Sequence, residues 1–448
     1  MISQQTIAAI STPPGRGGIS IIRISGTKAF DIAKKIFLCG KPFDKIKTHS
    51  VTYGKIIDQQ KNTVDQVILL KMEKPKTYTK EDIIEIQCHG GSEVTKKILN
   101  VVFKEGAFPA QAGQFTKRAF LNGRIDLSQA EAVMDVINAE TSKSEKAAIL
   151  QLEGQTGKRI RKIRKRIVDL LSHINLSIDY PEYEEEAISI VKTKEETKKI
   201  KKELEALIAN YETGLIIREG LNIVIYGPPN VGKSTFVNKI AGQEKAIVTH
   251  IPGTTRDIIE VHMNIKGYQI NLYDTAGIRK TDDIIEKLGI EKTIHAIKNA
   301  SLAILILDAS EKITIQIKEL INNSQVIVIN KIDLDKGSQI EELVTNKKII
   351  KVSLINNEGI DKIEKYIIDY IEKEKVDINE IAITNQRHKM HIDNALIALN
   401  NVLKGNEMFL DLFAIDLIEA LEQLSIITGE KASKDIIENI FKKFCVGK

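Results

Sequence analysis

Eight consecutive residues, Gly227 to Ser234, have the types and spacing of a phosphate-binding loop. They read G-P-P-N-V-G-K-S, which fits the pattern G-x-x-x-x-G-K-[ST]. The apolar run Leu221–Tyr226 before them predicts a strand, and a helix is predicted from Thr235. At such a turn backbone N–H groups face phosphates, Lys233 offsets phosphate charge, and the Ser234 hydroxyl ligates Mg²⁺. The loop predicts a nucleoside triphosphate site.

Two more segments supply groups that such a site needs. The tetrapeptide Asp274–Gly277 reads D-T-A-G and follows the predicted strand Tyr268–Tyr273. Its carboxylate can hold the metal through water, and its glycine N–H can contact the γ-phosphate. The loop Thr249–Asp257 reads T-H-I-P-G-T-T-R-D, and Thr255 is placed to complete the Mg²⁺ shell. An isolated D-T-A-G is usually a surface turn, so the order of all the motifs matters.

Specificity for guanine comes from the tetrapeptide N-K-I-D at Asn330–Asp333, after the predicted strand Val326–Ile329. The Asp333 carboxylate can accept from guanine N1–H and N2–H₂ together, and adenine offers no such pair. Lys331 would cover the base, and the asparagine would brace the loop. A fifth element, usually Ser-Ala, is Ser353-Leu354 here, and its backbone N–H can still reach guanine O6. The order of these motifs, each at a strand end, predicts GTP rather than ATP.

The catalytic step has no obvious water-orienting residue, because Ile278 follows D-T-A-G where Ras-type enzymes have glutamine. A monovalent cation beside the phosphates could stabilise transition-state charge, with oxygens from Asn230 and the loop residues Thr249, Ile251 and Thr254. The segment Thr249–Asp257 is equally compatible with an ordinary switch loop that binds no monovalent cation. Arg256 and Arg279 are other charge stabilisers. Glu286 fits either a catalytic carboxylate or a solvated helix residue.

The pattern of the whole chain predicts a multidomain α/β protein. Residues 1–120 form a mixed domain, and 121–213 are mainly helical, with a capping-box pattern at Ser128–Glu131 and a charged helix, Lys192–Tyr211, ending at Gly214. Strands and helices alternate over 214–380, as in a parallel sheet with crossover helices, and 381–448 are helical again. The predicted G domain would therefore be an insertion that splits a helical domain.

Composition sets broad limits. The 448 residues exceed one compact core, and the net charge of +5 is mildly basic. Three separated cysteines give neither a disulfide framework nor a zinc spacing, and no apolar run is long enough to span a membrane, so we expect a cytoplasmic protein. Lys158–Arg166 holds seven basic residues around an apolar stripe, which predicts an amphipathic helix with a basic face. This face could hold nucleic-acid phosphates or simply be solvated.

Five motifs lie outside the predicted G domain: Thr12–Gly18, Ile22–Gly26, Glu81–Gly91, Phe115–Leu127 and Phe444–Lys448. They resemble those of the MnmE (also TrmE) family of tRNA-uridine modification GTPases. The similarity runs from end to end and is specific, because related GTPases share only the G domain.

The resemblance implies a function that the motifs alone do not give. Members of this family, with the FAD- and NADH-using partner MnmG, add an aminomethyl or carboxymethylaminomethyl group to C5 of the wobble uridine, position 34, of certain tRNAs. The N-terminal domain would have a folate-binding-like fold, form a homodimer and bind a 5-formyl-tetrahydrofolate-type cofactor through Arg23, Glu85, Arg124 and Lys448. Arg124 stands where the family pattern has lysine, a change that keeps the charge but alters the geometry.

The resemblance also implies a potassium-dependent G domain, which favours Asn230, Thr249, Ile251 and Thr254 as the K⁺ ligands. The catalytic residues would be Glu286 and Lys233. Cys445 is given no covalent role. The full set expected to contact GTP is Asn230, Val231, Gly232, Lys233, Ser234, Thr235, Thr249, His250, Ile251, Pro252, Gly253, Thr254, Thr255, Asp274, Thr275, Ala276, Gly277, Asn330, Lys331, Asp333 and Ser353.

Two other functions compete with this interpretation. A ribosome-assembly GTPase shares the G-domain motifs, but it should carry an RNA-binding module such as a KH domain, and no suitable G-x-x-G loop is present. A nucleotide-switched scaffold would use its N-terminal domain only to dimerise. Folate binding separates the scaffold from the modification enzyme.

Overall fold

The computed structural model describes residues 5–179, 190–243, 259–274, 300–311, 314–335, 338–344, 346–372, 377–378, 383–405 and 410–448. The chain divides into two compact units. The first comprises Met1–Met134, Gln151–Lys201 and His391–Lys448, and the second comprises Asp135–Leu150 and Lys202–Met390. Within the described residues, no helix is both long and apolar enough to cross a membrane.

A seven-stranded sheet forms the N-terminal part of the first unit. Its order is β3-β4-β5-β6-β2-β1-β7, and every neighbouring pair is antiparallel except β1 with β7. Inward side chains such as Ile24, Leu69 and Ile86 alternate with outward ones, as a half-buried sheet requires. The strands are β1 Ile7–Ile10, β2 Ile19–Ser25, β3 Phe37–Leu38, β4 Ser50–Ile57, β5 Thr63–Met72, β6 Ile83–His89 and β7 Phe108–Pro109.

Helices α1 and α2 bury their apolar stripes in the core of this sheet, for example through Ile32 and Ile98. Further helices follow along the chain. In chain order the first eight are α1 Ala29–Ile36, α2 Ser92–Lys104, α3 Gln114–Leu121, α4 Leu127–Asn138, α5 Ser142–Leu152, α6 Gln155–Asp179, α7 Ile190–Ile208 and α8 Tyr211–Glu219.

A six-stranded sheet forms the centre of the second unit, in the order β13-β12-β11-β8-β10-β9. Only the edge strand β9 is antiparallel to its neighbour. The central strands are continuous apolar runs because helices cover both faces of a parallel sheet. The strands are β8 Leu221–Tyr226, β9 Ile259–Ile265, β10 Tyr268–Asp274, β11 Leu302–Asp308, β12 Val326–Asn330 and β13 Lys348–Lys351.

Crossover helices connect the parallel strands, so the carboxyl ends of β8, β10, β11, β12 and β13 meet at one edge. This carboxyl edge is where the nucleotide motifs were predicted. The remaining helices are α9 Lys233–Gln243, α10 Ile315–Asn323, α11 Ser338–Leu343, α12 Ile360–Ile371, α13 Gln386–Lys404, α14 Leu410–Thr428 and α15 Lys434–Lys442.

Two predicted helix ends were wrong. The charged helix does not continue to Gly214: α7 ends at Ile208, and α8 continues through a buried Gly214 to Gly220, whose φ of +84° stops it. The capping box is shifted two residues earlier than predicted. Asp126 Oδ1 accepts from Gln129 N at 2.9 Å, and Gln129 Oε1 accepts from Asp126 N at 3.0 Å.

Candidate nucleotide-binding site and arginine cluster

The phosphate-binding loop connects β8 to α9 through three residues with positive φ. They are Gly227 at +148°, Asn230 at +64° and Gly232 at +99°. A Cβ on Gly227 would lie 2.2 Å from the carbonyl oxygen of Ile306 on β11, so only glycine allows this approach. Asparagine is one of the few residues that tolerates the left-handed region, which explains the residue type at position 230.

Lys233 begins α9 and is almost buried, with 9% of its surface exposed. Its Nζ donates to the main-chain carbonyls of Gly227, at 2.9 Å, and of Pro228, at 2.6 Å. The ammonium is therefore held over the loop that turns in front of the helix. Ser234 and Thr235 follow in the first turn of α9 and are exposed. A helix start with a lysine and two exposed hydroxyl residues suits an anion and its metal counter-ion.

Asn330, the last residue of β12, joins three loops of the carboxyl edge. It is only 4% exposed. Its Nδ2 donates to the Val231 carbonyl in the phosphate-binding loop at 2.8 Å, and its Oδ1 accepts from the Leu354 N–H at 3.1 Å. The side-chain amide of Asn330 therefore connects the end of β12 to the phosphate-binding loop and to the loop that contains Leu354. These contacts are compatible with the expected bracing role of this asparagine.

The Asp333 carboxylate is exposed and is oriented by a buried hydroxyl. Ser353 Oγ donates to Asp333 Oδ1 at 2.5 Å, and Ser353 is itself fully buried. The backbone of Ser353 is fixed in turn by two hydrogen bonds with Glu358. The N-K-I-D segment and Ser353 are therefore in contact through their side chains. The hydrogen bond from Ser353 fixes the orientation of one Asp333 oxygen.

Asp308, the last residue of β11, is a member of this edge that the sequence interpretation missed. Its Oδ2 lies 2.5 Å from Lys331 Nζ, and its Oδ1 accepts from the Ser310 N–H and hydroxyl at 2.9 and 2.7 Å. Burial raises the pKa of this carboxyl, but the hydrogen bonds from Lys331 and Ser310 outweigh burial and leave the pKa below its ordinary value. An aspartate at the end of an apolar strand was the available signal.

Part of the predicted nucleotide site lies outside the described residues. This applies to the whole Thr249–Asp257 loop and to the segment that follows β10, while Asp274 is described by its backbone alone. The affected predictions are Thr249, His250, Ile251, Pro252, Gly253, Thr254, Thr255, Arg256, Thr275, Ala276, Gly277, Ile278, Arg279 and Glu286.

A second set of charged residues meets in the first unit, where Arg23 on β2 faces Glu85 on β6. The two are directly paired in the antiparallel register, and Arg23 Nε donates to Glu85 Oε1 at 2.8 Å. A second guanidinium nitrogen donates to the Gly447 carbonyl at 3.2 Å. The guanidinium carbon also lies 5.8 Å from the ring centre of Tyr78 and 5.7 Å from that of Phe115. Both charged side chains stay mostly covered, at 18% and 15% exposed.

The other two predicted folate contacts reach the same place. Arg124 stacks over the Tyr78 ring, with the guanidinium carbon 4.7 Å from the ring centre. The main-chain carbonyl of Lys448 accepts from the Phe115 N–H at 3.1 Å, which brings the end of the chain to this site. We call these four residues with Tyr78 the arginine cluster.

Gly447 lets the last residues approach β1 closely. Its φ is +95°, and a Cβ there would lie 2.3 Å from the Ile10 carbonyl oxygen. Its own carbonyl accepts from Ser11 Oγ at 3.1 Å as well as from Arg23. The sequence interpretation named Lys448 but missed Tyr78, Phe115 and Gly447. The positive φ and the aromatic contacts appear only in the tertiary structure.

Comparison with known proteins assigns both units to one family. Residues 6–124 match the model of the GTP-binding protein TrmE N-terminus, and residues 127–445 match the MnmE helical domain. The chain belongs to the MnmE family. The protein named tRNA modification GTPase MnmE from Acetivibrio thermocellus is 48% identical over the full length of both chains, and the one from Clostridioides difficile is 44% identical, also over both full lengths.

Family membership confirms the predicted α/β multidomain fold with an N-terminal α+β domain, a helical domain and a P-loop GTPase domain. It also makes this MnmE-family chain a GTP hydrolase with a role in tRNA modification. Among solved structures, the G domain of T. maritima FeoB is 24% identical over 34% of this chain and 99% of that one, with a TM-score of 0.27, a value too low to bear on the assignment.

Proposed function

We propose that this MnmE-family chain hydrolyses GTP in a K⁺-dependent manner in the cytoplasm. With the FAD- and NADH-using partner MnmG, in a heterotetramer or larger assembly, it would help to add an aminomethyl or carboxymethylaminomethyl group to C5 of uridine 34 in certain tRNAs. The observation that carries the proposal is the meeting of Lys233, Asn330 and Asp333 at one sheet edge, in a chain whose full-length relatives are named tRNA modification GTPases.

The chemistry of the carboxyl edge suits a guanine nucleotide. Lys233 and the N-terminus of α9 would hold the phosphates, and Asp333 would pair with the guanine edge while Lys331 covers the base. Mg²⁺ would be ligated by Ser234 and Thr255, and K⁺ by Asn230, Thr249, Ile251 and Thr254. Both ions would offset charge that develops on the phosphates. Hydroxyl, amide and carbonyl oxygens are the ligands that such hard cations take. Glu286 would serve as the catalytic carboxylate.

The arginine cluster suits a reduced folate of the 5-formyl-tetrahydrofolate type. The Glu85 carboxylate can pair with the 2-amino edge of a pterin, and Arg23, Arg124 and Lys448 can pair with folate carboxylates. The Tyr78 ring, already stacked under Arg124, adds a flat surface for a pterin. We further propose that residues 1–120 form a homodimer, that 121–213 and 381–448 form the helical domain, and that 214–380 form the G domain.

The proposal is tested by steady-state GTP hydrolysis in KCl and in NaCl at equal ionic strength. We expect turnover in K⁺ to exceed turnover in Na⁺ by at least about tenfold, which corresponds to about 1.4 kcal/mol of transition-state stabilisation. Equal rates in the two salts would remove the K⁺ ligands from the mechanism and leave charge stabilisation to Arg256 or Arg279.

A matched pair of variants assigns the effect to the side chain of Asn230. Asn230→Gly removes the side-chain oxygen without strain, because glycine readily adopts the φ of +64°. Asn357 has the same residue type, a φ of +58° and an exposed position, so Asn357→Gly is the control. We expect only Asn230→Gly to lose K⁺ stimulation. Loss in both variants, or in neither, contradicts the proposed ligand.

A further inference from the structure

Helix α6 presents a row of lysines on the side opposite its buried stripe. Ile160, Ile163 and Ile167 are buried, whereas the lysines at 158, 162 and 165 are exposed. Their spacing of i, i+4 and i+7 puts the three ammonium groups on one face, and Arg159 is exposed beside them. At 1.5 Å per residue the row extends about 10 Å along the helix axis. We call Lys158, Lys162 and Lys165 the lysine row.

The other arginines of α6 are used by the fold itself. Arg161 pairs with Asp126 at 2.8 Å, Arg166 pairs with Glu196 at 3.0 Å, and Arg164 pairs with Glu430. The lysine row differs, because none of its three ammonium groups has an ion-pair partner among the residues that the structure describes. Asp169 lies four residues beyond Lys165, but no ion pair joins them.

The lysine row lowers the stability of helix α6. Like charges at i and i+4 destabilise a helix by about 0.2–0.5 kcal/mol per pair. Lys158 also lies close to the N-terminus of α6, where the helix dipole disfavours cations, and no acidic residue is present in the first turn. Neither helix stability nor packing therefore accounts for these residues, and a bound polyanion would relieve both penalties.

We propose that the lysine row binds the phosphate backbone of tRNA, an inference that rests on the proposed role in tRNA modification. The surface is a short row of cations without an exposed apolar or aromatic side chain between them, which suits backbone contact rather than base recognition. The occupant is an RNA because the full-length relatives of this chain are named tRNA modification GTPases. Contacts of this kind position the nucleic acid and do not depend on its sequence.

The test is the salt dependence of tRNA binding to the full chain. The Kd of a fluorescently labelled tRNA transcript with uridine at position 34 is measured between 50 and 300 mM KCl. In the triple variant Lys158→Gln, Lys162→Gln, Lys165→Gln, we expect the slope of log Kd against log salt to fall by about 2–3, because each lost phosphate contact removes about 0.9. At 100 mM KCl, binding should weaken at least about tenfold.

Two control variants distinguish the loss of the lysine row from a general loss of positive charge and from misfolding. Lys96, Lys97 and Lys104 on α2 are exposed, so replacing them with glutamine removes the same charge elsewhere. Replacing the lysine row with arginine keeps the charge, and this variant should bind tRNA within about threefold of the natural chain. An unchanged slope in the triple glutamine variant, an equal loss in the α2 variant, or no tRNA binding by the natural chain overturns the inference.

GTP hydrolysis is measured on the same preparations. Unchanged K⁺-stimulated turnover in the triple variant, together with its reduced salt slope, supports the lysine row as a separate binding surface. If the natural chain hydrolyses GTP equally in K⁺ and Na⁺ but shows the expected slopes, the K⁺ mechanism fails and the tRNA surface stands.

Discussion

Within the part of the chain that the structure describes, four loops meet at the carboxyl edge of the six-stranded sheet, whereas the arginine cluster draws its residues from both ends of the chain. At the edge, Lys233, Asp308, Asn330 and Ser353 each lie at or within two residues of a strand or helix end. In the cluster, Arg23 on β2 contacts Gly447, which lies 424 residues further along the chain. One site is assembled by parallel topology and the other by tertiary contacts.

This difference in assembly predicts how amino-acid substitutions affect each site. Topology places the edge loops together wherever the parallel sheet forms, so substitutions there should alter nucleotide recognition without disturbing distant regions. The arginine cluster depends on the last residues docking against β1 and α3, so it should be sensitive to backbone changes that loosen the chain end. Four substitutions test this comparison.

The largest effect is expected from Asp333→Asn. The new amide would direct an N–H group at the N–H groups of guanine, so two donors would face each other. We expect GDP affinity to fall at least about 100-fold, the scale seen when a polar site meets a mismatched partner. Affinity for a xanthosine nucleotide, which has a carbonyl at that position, should rise. The affinities for GDP and for the xanthosine nucleotide are measured with fluorescent nucleotides.

The control for Asp333→Asn is Asp335→Asn, which removes the same charge two residues later. Folate affinity should be unchanged in both variants, because the two sites are built from different residues. If Asp333→Asn still binds GDP within tenfold of the natural chain, guanine recognition does not depend on this carboxylate.

Gly447→Ala should weaken the arginine cluster. A Cβ would come within 2.3 Å of the Ile10 carbonyl, so the chain end must move and Arg23 loses its Gly447 contact. We expect affinity for 5-formyl-tetrahydrofolate, measured by calorimetry, to fall about 10- to 100-fold, the equivalent of one or two hydrogen bonds to a charged group. GTP turnover should not change.

Gly40→Ala is the matched control, because a Cβ there meets nothing within 4 Å. A natural chain that binds no folate would favour the nucleotide-switched scaffold over the modification enzyme. Equal folate affinity in the natural chain and Gly447→Ala would instead mean that the chain end is dispensable for the cluster.

A smaller effect is expected from Asp308→Asn, which leaves Lys331 without its charged partner. GTP affinity should fall about tenfold or less, since Lys331 keeps its place in the loop. Asp369→Asn, an exposed change in α12, is the control. Comparable losses in the two variants would show that the Asp308–Lys331 contact is not used for the nucleotide.

The pH dependence of Asp308 follows from its lowered pKa. A carboxyl whose pKa is lower in the folded than in the unfolded state stabilises the fold above the unfolded value and loses that contribution as pH falls through the folded value. The melting temperature of the natural chain should therefore exceed that of Asp308→Asn at pH 6, and the gap should narrow below about pH 4. A constant gap would contradict the ion pair.

The smallest effect is expected from Cys445→Ser. The contacts described for Cys445 near the cluster use its main-chain carbonyl, which accepts from the N–H groups of Gly113 and Lys448. Serine keeps that carbonyl, so folate affinity and GTP turnover should stay within about twofold. A loss of tRNA modification with both of these intact would give the thiol a chemical role after all.

Sequence patterns were enough to predict the parallel sheet and its motifs. Each motif is a short contiguous peptide at the end of an apolar strand, and chain order with strand direction decides which edge it reaches. Strand β8 has the predicted bounds, and β10 and β12 each end one residue later than predicted. Helix ends were harder, because Gly214 and Gly220 are chemically alike and only the local φ decides which of them stops a helix.

The arginine cluster could be named from family resemblance but not built from the sequence. No local pattern reports that Arg23 stacks near Phe115, that Tyr78 lies beneath Arg124, or that Gly447 passes within contact distance of β1. Asp308 was missed for the same reason: an aspartate at the end of a strand acquires a role only when Lys331, which follows the neighbouring strand β12, lies against it. The periodicity of apolar residues predicts helices and strands and their order along the chain. Contacts between side chains that are far apart in the sequence depend on packing, which only the folded chain determines.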